Sequence, residues 1–233
     1  MIYQKYQGAA KIMTKTLAAG LALLFIAACG ESGADKADTP ATSPEVATGV
    51  ISNSATVDTQ REGTWGDIDY GSADAPVTVI EYASLTCPHC ATFKRTVFKK
   101  IKEEYIDTGK VRFVYRNFLL NRVDLAASTI ARCGNMAQTK KMMDVYFDRQ
   151  GEWMRGENPQ DELAKLARRT VNMSRVQFDK CLSNKEMHKN LAKMSGDGRK
   201  EFNIQATPTV IVAGVVSDSL AWEDIKKAID AKL

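Results

Sequence analysis

Apolar and polar positions alternate with different periods along this chain. After Pro76, Val77, Val79, Ile80 and Tyr82 form a short β-branched and aromatic run of the length of a buried strand. Beyond Cys87-Pro88-His89-Cys90, the residues Phe93, Val97, Ile101 and Tyr105 recur every four positions. Lys94, Arg95, Lys99, Lys100, Glu103 and Glu104 fill the other side, which predicts one amphipathic helix ending near Gly109 with a solvated charged face. Helical character then fills 123–199. Asp124 to Met136 carries an apolar stripe through Leu125, Thr129, Ile130 and Cys133. Asn158-Pro159 is a helix start, a capping side chain followed by proline at the first helical position, with Leu163, Leu166 and Ala167 on one face. Met142, Met143, Tyr146, Phe147 and Trp153 read as helical core, and His188 as a surface helix residue. Gly196 and Gly198 mark the exit, and strand character returns at Thr209 to Ala213.

The first residues follow a different logic. Lys5, Lys11 and Lys15 precede an apolar run from Leu17 to Ala28, too short and too rich in small residues to span a bilayer. It closes with Ile26-Ala27-Ala28-Cys29-Gly30, the pattern of a lipobox, in which cleavage before Cys29 leaves a thiol that carries a lipid. The alternative is ordinary signal cleavage and a soluble exported protein. Gly30, where an aspartate would signal inner-membrane retention, favours an outer-membrane anchor over an inner one. Segment 29–62 is rich in Ala, Ser, Thr, Asp and Gly and nearly free of aromatics, so it cannot bury enough surface to order itself. As a flexible coil it would span roughly 30 Å. The whole chain has 32 basic and 28 acidic residues, a net charge of +4, and losing the three leader lysines brings this to +1. A nearly neutral domain has no electrostatic footprint for nucleic acid.

The candidate chemistry sits at the start of the motif helix. Unpaired N–H groups and the helix dipole there favour negative charge, so the Cys87 thiolate is stabilised over the thiol. His89, protonated or donating a hydrogen bond, acts in the same direction. Free cysteine has a pKa of about 8.5, which such sites lower to roughly 3.5 to 7.5. Each unit below ambient pH favours the dithiol by about 1.4 kcal/mol, roughly 30 mV for a two-electron couple, so the disulfide form becomes an oxidant. One CxxC lacks the four ligands of a structural zinc site, and no second histidine lies near enough in sequence to suggest a Cys-His hydrolase dyad.

CPHC after a strand, then a long helix, a helical stretch and Thr207-Pro208-Thr209, resembles the DsbA family of the thioredoxin superfamily. The resemblance implies an α/β thioredoxin fold with a helical domain inserted between its halves. The expected segments are a lipoprotein signal peptide at 1–28, the lipidated cysteine and linker at 29–62, an N-terminal half at 63–122, the insertion at 123–200 and a C-terminal half at 201–233. It implies thiol–disulfide exchange on reduced or unfolded exported proteins in the periplasm; with the lipobox pattern, the expectation is a lipid-anchored monomer. Cys87 would be attacked, Cys90 would resolve, and Pro88 and His89 would tune them. Thr207 and a cis Pro208 would face the disulfide and receive substrate, and Glu81, six residues before Cys87, would be a buried acid relaying protons for Cys90 unless it is a solvated strand-end residue. No cofactor is expected beyond the redox disulfide itself, with reoxidation by a DsbB-like membrane quinone reductase.

Five cysteines would be awkward in an exported protein unless lipidation removes Cys29 from the count. That leaves Cys87 with Cys90 and Cys133 with Cys181, the second pair as a structural disulfide or as two buried thiols. Three rivals remain open: a disulfide isomerase or reductase of the same fold, a lipid-anchored copper-handling protein using two soft thiolates, and an interaction module with a structural CxxC bridge.

Overall fold

The computed structural model describes residues 65–233. The segments expected to be a signal peptide, a lipidated Cys29 and a linker lie outside them. Among the described residues are five strands and eight helices. In chain order they are β1 (Ile68–Tyr70), β2 (Val77–Ala83), α1 (88–106), β3 (Val111–Asn117), α2 (Arg122–Ala131), α3 (Met136–Asp148) and α4 (Gln150–Arg155). There follow α5 (Pro159–Val171), α6 (Arg175–Leu182), α7 (Lys185–Phe202), β4 (Thr209–Val212), β5 (Val215–Val216) and α8 (Trp222–Asp230). The strands form one sheet in the order β1-β3-β2-β4-β5, in which β2 and β3 are parallel and every other pair is antiparallel. Helices α2 to α7 all lie between β3 and β4 in sequence, so the chain is a thioredoxin fold interrupted by a helical insertion, as the resemblance implied.

β2 is the central strand and is covered on both faces, which is why its residues run apolar without strict alternation. Val77, Val79 and Ala83 join α1 and the insertion in the larger core, while Ile80 and Tyr82 pack with Val114, Phe118, Ile204 and Ile211 on the other side. Glu81 has the parity of the first set, so the pleat turns it toward α1. In the ladder it lies between Tyr115 of β3 and Val210 of β4.

Helix α1 explains its own four-residue spacing. An α-helix turns every 3.6 residues, so positions four apart drift by roughly 40° per repeat. Here α-helical stretches at Pro88–Phe93 and Lys99–Ile101 alternate with π-helical ones at Lys94–Phe98 and Lys102–Ile106. The wider i→i+5 turns bring the period closer to four. Phe93, Val97, Ile101 and Tyr105 consequently all stay buried. The predicted solvated face holds for Arg95, Lys99 and Lys100. It fails for Lys94, whose half-buried ammonium pairs with Asp144 at 2.9 Å and sits over the rings of Phe98 and Tyr70.

The insertion is built on aromatic and aliphatic side chains from α3 to α6, including Tyr146, Trp153, Leu163 and Phe178. The Trp153 indole donates to the Tyr146 carbonyl at 2.8 Å, and the Tyr146 hydroxyl donates to the Leu163 carbonyl at 3.2 Å. Cys133 and Cys181 are bonded as a disulfide across a sequence separation of 48 residues. On the chain-entropy account a loop of that length stabilises the fold by about 4 kcal/mol. Helix α5 starts where its sequence signal predicts: the Asn158 side chain accepts the Gln160 and Asp161 N–H groups, with Pro159 at the first helical position.

Several expectations are corrected. The helix expected over Asp124 to Met136 ends at Ala131, because Asn135 caps a new helix in a reciprocal box with Gln138. Leu125, on the expected stripe, is only half-buried. His188 is half-buried, not on the open surface, with its Nε2 inside the fold. Gly196 and Gly198 are not an exit but lie inside α7, which ends instead at Phe202 and is capped by Asn203 in the left-handed conformation with φ 51°. Gly198 is there for packing: a Cβ at this position would lie 2.6 Å from Cε1 of Tyr82.

Alanine is the better helix former by about 1 kcal/mol, yet forcing a carbon against a buried ring costs about 1–3 kcal/mol. Gly198→Ala should therefore lower stability, a result read by urea denaturation; a variant more stable than the parent would refute the contact.

Candidate active site

Cys87 is the N-cap of α1, with extended backbone (φ −83°, ψ 117°), and its Sγ accepts the Cys90 N–H at 3.4 Å. Pro88 occupies the first helical position, where its missing N–H costs nothing. Pro88 and His89 are exposed on the turn, whereas Cys90 is fully buried. Cys87 is itself nearly enclosed, with 5% of its surface exposed. Both cysteines are present as free thiols. Opposite them the Thr207–Pro208 peptide is cis, and the Cys87 thiol donates to the Thr207 carbonyl at 3.2 Å. The site thus joins the end of β2, the start of α1 and the turn before β4.

The two sulfurs differ sharply in electrostatics. A hydrogen bond from the Cys90 side chain, helped by the side chain of Thr207 and by the backbone N–H groups of Cys90 and His89, lowers the Cys87 pKa to about 5 against the opposing effect of burial. Burial pushes the Cys90 thiol far up, and its bond to Cys87 and the nearby Glu81 carboxyl push it the same way. Glu81 is itself buried, with no hydrogen-bond partner for Oε1 among the described residues. Desolvation raises its pKa to about 8; Lys94 opposes the rise and Cys87 adds to it. A solvated strand-end glutamate is thereby excluded. One chain segment therefore holds an acidic thiol, a thiol that stays protonated, and a carboxyl able to exchange a proton near neutrality.

The loop leading into Cys87 is held by side chains that the sequence did not point to. Ser84 and Thr86 bond each other through their hydroxyls at 3.0 Å, and the Asn121 amide donates to Thr86 Oγ1 at 3.1 Å. Asp124, fully buried in the first turn of α2, accepts the Leu85 N–H at 3.0 Å and the Leu120 N–H at 3.1 Å. From α4, the Gln150 carboxamide donates to the Leu85 carbonyl at 2.8 Å and to the Cys87 carbonyl at 3.0 Å. Asn121 with Asp124 three residues on is a capping pattern that could have been read; Gln150 carries no local signal. Among the described residues no cluster of three or more His, Cys, Asp or Glu could hold a metal ion.

A profile of the thioredoxin family matches residues 64–231. The chain belongs to the thioredoxin family. Within that family it is similar to a provisionally named protein-disulfide oxidoreductase of Rickettsia bellii (strain RML369-C), at 31% identity over 70% of this chain and 63% of that protein. It is also similar to disulfide bond formation protein D of Bacillus subtilis (strain 168), at 30% identity over 70% of this chain and 75% of that one. Among solved structures, Wolbachia pipientis alpha-DsbA1 superposes with a TM-score of 0.65 and 27% identity over 71% of this chain and 90% of that one. These relatives and neighbours place this thioredoxin-family chain with the DsbA proteins. The match spans a little over three fifths of the Rickettsia relatives' length, from 61% to 63% in the first three.

Two pH effects follow. Cys87 ionises at about 5 in the folded dithiol against an ordinary value of 9.0, so its contribution to stability is complete above pH 9 and is lost as pH falls through 5. The reduced form should gain stability on the oxidised form as pH rises between those limits, read from paired denaturation curves. Glu81 has the opposite sign, because a carboxyl raised from 4.5 to about 8 costs the fold stability as pH rises through that window. Glu81→Gln should stabilise the protein at pH 7 by up to about 3 kcal/mol, and an unchanged or lowered midpoint would contradict the raised pKa of this buried carboxyl.

Proposed function

We propose that this protein is a DsbA-like thiol:disulfide oxidoreductase that introduces disulfide bonds into exported proteins through the Cys87–Cys90 couple. The observation carrying this reading is the asymmetry of the pair, a Cys87 pKa of about 5 beside a Cys90 thiol pushed far above its ordinary value. A sulfur that readily holds negative charge is a good leaving group, and its thiolate stabilises the dithiol over the disulfide by roughly 30 mV for each unit below ambient pH.

In the cycle, a substrate thiolate attacks Sγ of Cys87 in the disulfide form. The Cys87–Cys90 bond breaks, a substrate–Cys87 mixed disulfide forms, and Cys90 leaves with the electron pair and takes up a proton. Glu81, buried beside it and titrating near neutrality, supplies that proton. The substrate's second thiolate then attacks the substrate sulfur of the mixed disulfide, and Cys87 departs as a stabilised thiolate. Two electrons pass from the substrate dithiol to the protein, whose cysteines end reduced. Thr207 and Pro208 receive the substrate backbone as an added strand would need, while Pro88 and His89 shape the exposed turn. The cycle requires no metal or organic cofactor. Reoxidation is assigned to a DsbB-like membrane quinone reductase, and Cys29 to a lipid anchor that holds a periplasmic monomer at a membrane, the outer one favoured.

The second reading is a disulfide isomerase or reductase of the same fold, which Thr207 before Pro208 also suits. The glutathione equilibrium of the couple separates them, since a strongly oxidising value fits disulfide donation and a strongly reducing value fits removal. Reduced, unfolded client protein should acquire disulfides faster with this protein than without it. Cys87→Ser should abolish the acceleration, and its persistence would refute the role given to Cys87.

A further inference from the structure

Four residues, Ser84 to Cys87, connect the central strand to the reactive helix, and the backbone of Leu85 and Cys87 is gripped from two separate helices of the insertion. Asp124 of α2 takes the Leu85 N–H at 3.0 Å. Gln150, at the start of α4, gives both hydrogens of one carboxamide to two carbonyls, Leu85 at 2.8 Å and Cys87 at 3.0 Å. The Cys87 carbonyl also accepts the Ala91 N–H at 3.2 Å, the first bond of α1. Gln150 is buried, as are Leu85, Thr86 and Cys87, so no exposed route replaces these donors cheaply. The carboxamide therefore ties the insertion directly to the residue whose sulfur reacts.

We propose that Gln150 is a positioning residue through which the inserted helices set the oxidising strength of the Cys87–Cys90 pair. Pinning the Cys87 carbonyl fixes the peptide plane that begins α1, and with it the direction of the Cys90 N–H toward Cys87 Sγ. The same carboxamide places the positive ends of two N–H dipoles against the loop. Both effects favour the thiolate, and both disappear if the side chain keeps its length and shape but loses its donors. The inference rests on the reading of Cys87 as the attacked sulfur.

Gln150→Met keeps an unbranched side chain of similar size without hydrogen-bond donors. The ionisable groups around the loop, Glu81 of β2, His89 and Cys90 of α1 and Asp124 of α2, stay in place, so a change in Cys87 ionisation reports the lost carboxamide. The expected result is thiolate absorbance that appears about one pH unit higher, and a glutathione equilibrium about tenfold less oxidising, equivalent to roughly 30 mV. Gln150→Asn, one methylene shorter, should shift both in the same direction and serves if the Met variant does not fold. Trp153→Phe, which loses the indole bond inside the insertion without touching the loop, should lower stability while leaving both readouts at the parent values. Parent-like titration and equilibrium in folded Gln150 variants would overturn the positioning role while leaving the oxidoreductase reading intact. An ordinary Cys87 pKa in the unaltered protein would remove both.

Discussion

A sulfur at the first turn of a helix meets N–H groups that the helix itself cannot satisfy, and the chemistry of this molecule depends on that meeting. Cys87 takes the Cys90 N–H and faces Thr207 across the turn, while burial withholds the water that would otherwise solvate a charge. In such a site the anion survives because fixed donors stand in for solvent. The neighbouring thiol gains nothing comparable, since Cys90 is enclosed by the core and lies near a second acid. A difference of position within one helical turn thus becomes a difference of chemical role.

The two parts of the fold contribute unequally to this arrangement. The thioredoxin sheet brings Glu81, the two cysteines and Thr207 together by strand parity and by seating β2 between β3 and β4. The insertion supplies no reacting atom, but it covers the loop and occupies its backbone groups through Asp124 and Gln150. Asp124 is held above the ordinary carboxylate range, at about 6, because burial outweighs the hydrogen bonds from Ser84, Leu120, Leu85 and Ser128. That burden is tolerable only because the bonds are all made inside the fold.

Legibility in the sequence follows the range of the interactions. Strand β2, the Asn158-Pro159 start of α5 and the apolar stripe of α1 depend on neighbours a few positions away, and they can be read directly. The π-helical turns that keep Phe93 and Tyr105 on one face are hidden in a spacing slightly too long for an α-helix. Gly198 misleads because glycine at a close approach to Tyr82 looks, in one dimension, the same as glycine at a helix end. The short strand β1 and the run Val111–Asn117 give no clear signal; the latter is interrupted by Arg112 and Arg116, whose charges are matched by Asp69 and Asp67 far back in the chain. Within the site, the cysteines and Thr207-Pro208 announce themselves as motifs, whereas Gln150 reaches its partners across more than sixty positions, 63 and 65 residues back.

Because Thr207 lies 120 residues beyond Cys87, with the entire insertion between them, the order of synthesis has a bearing on reactivity. A chain made from its amino end exposes the cysteine pair long before the β4 strand that flanks it exists, and closing so long a loop is slow. Half-made molecules carry two thiols without their surroundings, so competence arrives abruptly, with the last few dozen residues, and unfinished copies are poor reactants in crowded company.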